Sequence, residues 1–169
     1  YFADVDGDRR ADAIVVNDSG VTVRRSTGKS FSGNEAWTKE AYYGSRGTFF
    51  ADVDGDRRAD AIVVNDSVTI RRSTGKDFSG NEDWSKGAFY GTRGNYFADV
   101  DGDRKADAIV VNDAVTVRLS TGAGFSRIQA WTKEAYHGSR GTFFASVAGS
   151  SAVEAIVVNN DTITVRRSP

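Results

Sequence analysis

The chain has 169 residues, 22 basic and 23 acidic side chains, a formal net charge of −1, and neither cysteine nor methionine. The lack of cysteine excludes a disulfide framework and zinc–thiolate sites, and no apolar run reaches the length of a membrane-spanning helix. A start at Tyr1 rather than Met is expected of a segment of a longer, processed or engineered polypeptide, in which a missing signal peptide carries no information about export.

From the first residue the chain repeats itself. Phe-Ala-Asp-Val-Asp-Gly-Asp opens at Phe2, Phe50 and Phe97, and a degraded copy opens at Phe144. A period of this size marks a repeat architecture, with one propeller blade per repeat as the common case. Blades are expected over about 1–48, 49–95, 96–142 and 143–169, the last incomplete. Phe2 to Asn17 is identical to Phe50 to Asn65, and the third copy differs only at Lys105. Recent tandem duplication and construction from a template both account for such likeness.

Within repeat one, Tyr1 to Val5 alternates and predicts a short strand. Asp4 to Asp12 is an acidic loop. Ala13-Ile14-Val15-Val16 is a continuous apolar run, expected of a strand covered on both faces. Asn17-Asp18-Ser19-Gly20 signals a turn, and Val21-Thr22-Val23-Arg24 alternates again. Ser26-Thr27-Gly28-Lys29 turns the chain. Trp37 to Tyr42 is the candidate fourth strand, and Gly44-Ser45-Arg46-Gly47 leads to the next repeat. Four short antiparallel strands per repeat predict an all-β propeller of about 3.75 blades. Ile14, Val16, Ile62, Val64, Ile109, Val111, Ile156 and Val158 are its expected core.

The acidic loop carries the chemistry. Asp4, Asp6 and Asp8 alternate, Gly7 permits the bend, the Arg10 carbonyl can add an oxygen, and Asp12 closes the set. The same positions recur as Asp52, Asp54, Asp56, Arg58 and Asp60, and as Asp99, Asp101, Asp103, Lys105 and Asp107. Four carboxylates within nine residues repel one another unless a cation offsets them. An all-oxygen flexible loop suits Ca²⁺ better than Mg²⁺ or Zn²⁺, so three structural Ca²⁺ sites are expected. Three bound divalent ions would take the formal net charge from −1 to +5 and leave a basic surface. The fourth loop reads Ser146, Ala148, Ser150 and Glu154 at these positions, and no ion is expected there.

These loops, followed by Ala-Ile-Val-Val-Asn and then Ser-Thr-Gly-x-x-Phe, resemble the FG-GAP/VCBS repeat family. The resemblance spans essentially the whole chain and weakens in the fourth repeat. It implies a β-propeller with calcium loops between the first two strands of each blade. It also implies an extracellular setting and either lectin-like or integrin-α-like use. Family propellers commonly have seven blades, and this chain supplies fewer than four. Closure is therefore expected from a second copy of the chain or from further blades.

Trp37, Trp84 and Trp131 recur once per repeat. Tyr43, Tyr90 and His137 follow them, and then Arg46, Arg93 and Arg140 in glycine-flanked loops. An aromatic ring with nearby Arg and amide groups is what a pyranose needs, so these nine residues are the candidate glycan site, and the basic holo surface is compatible with an acidic glycan. The competing reading has Trp as packing between blades and Arg as a turn residue, which makes the protein a protein-binding or structural scaffold. The pairs Arg24-Arg25, Arg71-Arg72 and Arg166-Arg167 lie on strands, where neighbours face opposite ways. Nucleic acid is not the expected partner, and no triad, P-loop or dinucleotide fingerprint points to an enzyme.

Overall fold

The computed structural model describes residues 1–168 and is all-β, with fifteen strands and no helix among them. The strands form four antiparallel sheets, each a simple meander. The first contains β1 (Phe2–Ala3), β2 (Asp12–Asn17), β3 (Gly20–Arg24) and β4 (Glu35–Ala36). The second contains β5 (Thr48–Ala51), β6 (Asp60–Val64), β7 (Val68–Arg71) and β8 (Glu82–Asp83). The third contains β9 (Gly94–Ala98), β10 (Asp107–Val111), β11 (Val115–Arg118) and β12 (Gln129–Ala130). The fourth contains β13 (Gly141–Ala145), β14 (Glu154–Val158) and β15 (Ile163–Arg166). This is the blade arrangement of a propeller. The chain divides into two compact units, residues 1–88 with the first two sheets and the remainder with the last two.

The apolar run of each repeat becomes the second strand of its sheet. In β6 and β10 all five residues are buried, as a strand covered on both faces requires. The hairpin that follows sets the register. Ile14 pairs with Val23 and Val16 with Val21 in the first sheet, and Ile62 with Ile70 and Val64 with Val68 in the second.

In the first unit the second sheet packs on the first. Ala61, Val63 and Phe78 share a cluster with Val5, Val21, Val23 and Trp37. Two hydrogen bonds fix the approach: Ala59 N donates to the Asp4 carbonyl (2.7 Å) and Ser73 Oγ to the Val5 carbonyl (2.5 Å). The second unit repeats the plan. Val153 N donates to the Asp99 carbonyl (2.8 Å), and Ala155 and Phe144 pack with Val100, Val117 and Trp131.

The structure differs from the expected elements in three places. The fourth strand is Glu35–Ala36, and Trp37 to Tyr42 is an irregular strap. The strap leaves the ladder because Trp37 N and Thr38 N both donate to the Val21 carbonyl, and Thr38 Oγ1 accepts from Val21 N at 2.8 Å. The first strand shortens to Phe2–Ala3 because Asp4 already belongs to the loop. Val16, Ile156 and Val158 are only half-buried, unlike their counterparts in β6 and β10.

Candidate metal loops and a candidate ligand groove

Each acidic loop is shaped by its own carboxylates. In the first, Asp4 accepts from Gly7 N and Arg9 N (both 2.7 Å). Asp6 accepts from Asp8 N at 3.1 Å, and Asp8 from Arg10 N at 2.8 Å. Gly7 has φ +85° and Arg9 φ +70°. Glycine adopts such angles freely, whereas an arginine at positive φ costs about 1 kcal/mol or more and must be held there. The same pair recurs as Gly55 with Arg57 and Gly102 with Arg104. The Arg-Arg or Arg-Lys dipeptide thus contains a left-handed residue that sequence reasoning did not anticipate.

The last acid has a separate role. Asp60 is fully buried and accepts from Val53 N (3.0 Å) and Ser73 N (2.8 Å), tying the loop entrance to the third strand. Asp12 bonds Val5 N and Ser26 N in the same way, and Asp107 bonds Val100 N and Ser120 N. Burial pushes the Asp60 and Asp107 carboxyls up to about 7, against the pull of their backbone hydrogen bonds and with the help of neighbouring loop charges. Burial also raises Asp6 and Asp54 above the usual carboxylate range.

Three carboxylates converge in each intact loop: Asp4, Asp6 and Asp8; Asp52, Asp54 and Asp60; Asp99, Asp101 and Asp107, with one oxygen from each within 4.8 Å of the others. This hard, all-oxygen donor set fits a divalent cation such as Ca²⁺. The Arg10, Arg58 and Lys105 side chains contact Asp8, Asp56 and Asp103 and supply local positive charge. The fourth loop keeps the frame without the cluster. Gly149 has φ +76°, and Glu154 accepts from Val147 N at 2.8 Å.

The tryptophans are interior residues. Trp37, Trp84 and Trp131 are 2%, 2% and 7% exposed. Trp37 packs edge-on against Phe78 with ring centroids 5.0 Å apart. Trp84 Nε1 donates to Glu82 and Trp131 Nε1 to the Arg167 carbonyl. No indole face is open for a pyranose to stack on. The arginines of the glycine-flanked loops serve as clamps. Arg46 pairs with Asp66 (3.3 Å), Arg93 with Asp113 (3.1 Å), and Arg140 Nε donates to Asn160 (2.8 Å). Beside them Ser45, Thr92 and Ser139 donate their backbone N–H to Asn65, Asn112 and Asn159. Gly44 is required there, because a Cβ would lie 2.4 Å from the Gly47 and Val64 carbonyl oxygens. Tyr43 is exposed and lines a recess of about 430 Å³ with Tyr1, Asn17 and Asp18. Tyr90 is half-buried, and His137 Nε2 lies 3.9 Å from Asp113. The nine candidate glycan residues therefore do not converge on shared sites.

A different set does converge. A groove of about 480 Å³ between the first two sheets is lined by Trp37, Lys39, Glu40, Arg71, Asp77 and Phe78, among others. Arg71 is held rigidly: its guanidinium lies 4.6 Å above the Tyr42 ring, Nε donates to Asn81 (2.7 Å), and a terminal nitrogen donates to Glu40 (2.6 Å). Trp37 Nε1 is buried with no hydrogen-bond partner. Arg118 over Phe89 and Arg166 over Tyr136 repeat the stacked pair. In the first two repeats the second arginine is also engaged, Arg25 with Glu35 and Arg72 with Glu82. The recurrence of Tyr42, Phe89 and Tyr136 about 30 residues before Arg71, Arg118 and Arg166 was the available signal for this stacking.

Residues 4–63 match the FG-GAP-like repeat family. No curated protein matches the sequence. Among solved structures, the chain is similar to an Agrocybe aegerita lectin described as recognising non-reducing terminal N-acetylglucosamine. That match has a TM-score of 0.78 at 23% identity and covers 98% of this chain and 47% of the lectin chain. It is also similar to part of the Photorhabdus luminescens Tc holotoxin pore, with a TM-score of 0.66 at 17% identity over 98% of this chain and 8% of that one. The chain thus spans about half the length of the lectin and a small part of the toxin. Residues 4–63 thus carry an FG-GAP-like repeat, and the meander sheets of the whole chain have the β-propeller fold of these structures.

Proposed function

We propose that the protein is a non-catalytic, lectin-like carbohydrate-binding propeller stabilised by Ca²⁺ in its three acidic loops and working outside the cell. The groove beside Trp37 carries this reading. It has the size of a monosaccharide or disaccharide site, and Arg71, Glu40 and Asp77 bring donor and acceptor groups to its wall. The sugar contact proposed is hydrogen bonding to hydroxyls from these polar groups, with Trp37 as a packed wall. The likeness to a lectin supports the class of ligand, and terminal N-acetylglucosamine is the first glycan to test. The buried tryptophans favour the second reading, a scaffold that binds protein. Glycan-array binding of the Ca²⁺-loaded protein separates the two, repeated with Glu40→Gln and Asp77→Asn. A glycan signal that these variants lose while their melting temperature holds supports the lectin. An array with no signal refutes it.

A further inference from the structure

In each intact loop the third acid is gripped by one basic residue two places later. Arg10 N donates to one oxygen of Asp8 at 2.8 Å, and the Arg10 guanidinium contacts the other. Arg58 N donates to Asp56 Oδ1 at 2.8 Å, and its guanidinium contacts Oδ2. In the third loop Lys105 N donates to Asp103 Oδ1 at 2.9 Å, and its ammonium contacts Oδ2. Backbone and side chain of a single residue thus engage both oxygens of the third carboxylate. In the first loop Asp8 still belongs to the convergent set. In the second and third loops the first, second and closing acids converge, and the gripped Asp56 and Asp103 stand outside.

The adjacent base behaves differently. Arg9, Arg57 and Arg104 are exposed, and their backbone N–H groups donate to the first acid of each loop. Their side chains enter no ion pair among the described residues. The fourth loop has Ser150 in place of the third acid and Ala152 in place of the gripping base, so acid and base are absent together.

We propose that Arg10, Arg58 and Lys105 are displaceable internal counter-ions, each holding the third acid of its loop until a divalent cation competes for the same oxygen. The inference rests on the reading that the loops bind Ca²⁺, and it adds that these side chains set the affinity. The pair opposes binding twice. A carboxylate oxygen must be released, and a positive charge stands beside the incoming cation. The same pair stabilises the metal-free loop, where clustered carboxylates repel. One residue therefore moves Ca²⁺ affinity and metal-free stability in opposite directions. The strength of the hold differs between loops. Arg58 has a second anchor, Nε on the Ser73 carbonyl at 3.2 Å, whereas Lys105 is a flexible point charge.

Calorimetric titration with Ca²⁺ tests this in full-length chains with a single active loop. Asp6→Ala with Asp101→Ala leaves the second loop. Adding Arg58→Gln should tighten Ca²⁺ binding about fivefold and lower the melting temperature of the metal-free protein. Arg57→Gln removes the same charge one residue away and should change the affinity by less than about twofold in physiological salt. Arg58→Lys should tighten binding by less than Arg58→Gln does. A purely structural Arg58 would lose stability and affinity together when replaced, and that result overturns the proposal. Equal effects of Arg57→Gln and Arg58→Gln overturn it as well. Arg10→Gln, in a chain carrying Asp54→Ala and Asp101→Ala, repeats the test at a half-exposed side chain should Arg58→Gln fail to fold. Absence of binding heat in the unsubstituted chain would refute the Ca²⁺ reading itself. Binding that is present but insensitive to Arg58→Gln and Arg10→Gln would refute the counter-ion alone.

Discussion

The three intact acidic loops and the fourth loop make the same turn with different chemistry. Both kinds have a glycine at positive φ, Gly7, Gly55, Gly102 and Gly149. Both end in a buried acid that accepts the backbone N–H seven residues earlier, from Asp12, Asp60, Asp107 and Glu154. Only the intact loops add three further aspartates. The fourth loop forms without them, through Ser146 Oγ to the Ser150 carbonyl (2.7 Å) and Ser150 Oγ to the Ala152 carbonyl (3.0 Å). The closing acid and the glycine therefore suffice for the fold. The clustered aspartates add repulsion that a cation would remove.

The largest effect expected from this contrast is that of the closing acid. Asp60→Ala should cost about 3 kcal/mol in urea unfolding, because it strands the N–H groups of Val53 and Ser73 in a buried site. Glu154→Ala should cost less, since among the described residues its backbone donor is Val147 N, where Asp60 has two. Equal costs would show that the two acids do not differ as described.

Chelation comes next. A ligand at a hundred times its dissociation constant stabilises by about 2.7 kcal/mol, so removing Ca²⁺ should lower the melting temperature by roughly 5 °C or more for a chain of this size. An unchanged melting curve would place the metal reading in error. Asp54→Ala should reduce Ca²⁺ binding by one equivalent while changing metal-free stability by less than about 1 kcal/mol. The gain-of-function counterpart is Ser146→Asp with Ala148→Asp and Ser150→Asp, which should add one equivalent.

Arg46→Ala should have the smallest effect. Its pair with Asp66 is exposed, and such pairs contribute less than about 1 kcal/mol. A larger loss would mean that the clamp holds the sheet rather than decorating its end.

The blade plan was legible because period and chemistry coincide. The Ala-Ile-Val-Val run, the Asn-containing turn and the Val-x-Val strand recur at fixed offsets, and they become β2, β6 and β10 with their hairpins. The convergence of acids in each loop was legible because acids spaced around a glycine have few structural alternatives, and three of the four in each loop come together. The role of the closing acid was not. Asp12 has the same side chain as Asp4, and only burial and the reach to Ser26 N distinguish a carboxylate that ties the loop to a later turn from one that accepts N–H groups within the loop itself. The strap was missed because Thr38, Ser85 and Thr132 each accept a backbone hydrogen bond from the third strand, a tertiary contact that overrides the alternation of Trp37 to Tyr42. The tryptophan roles depend on which ring covers them, and the Trp37–Phe78 contact joins residues from two repeats.

Calorimetric titration of the metal-free protein with Ca²⁺ tests the central claim most directly. The account predicts binding of three ions per chain, falling to two in Asp54→Ala, with the fourth loop contributing none. Absence of binding heat together with an unchanged melting temperature in saturating Ca²⁺, or a stoichiometry unaffected by Asp54→Ala, would contradict it.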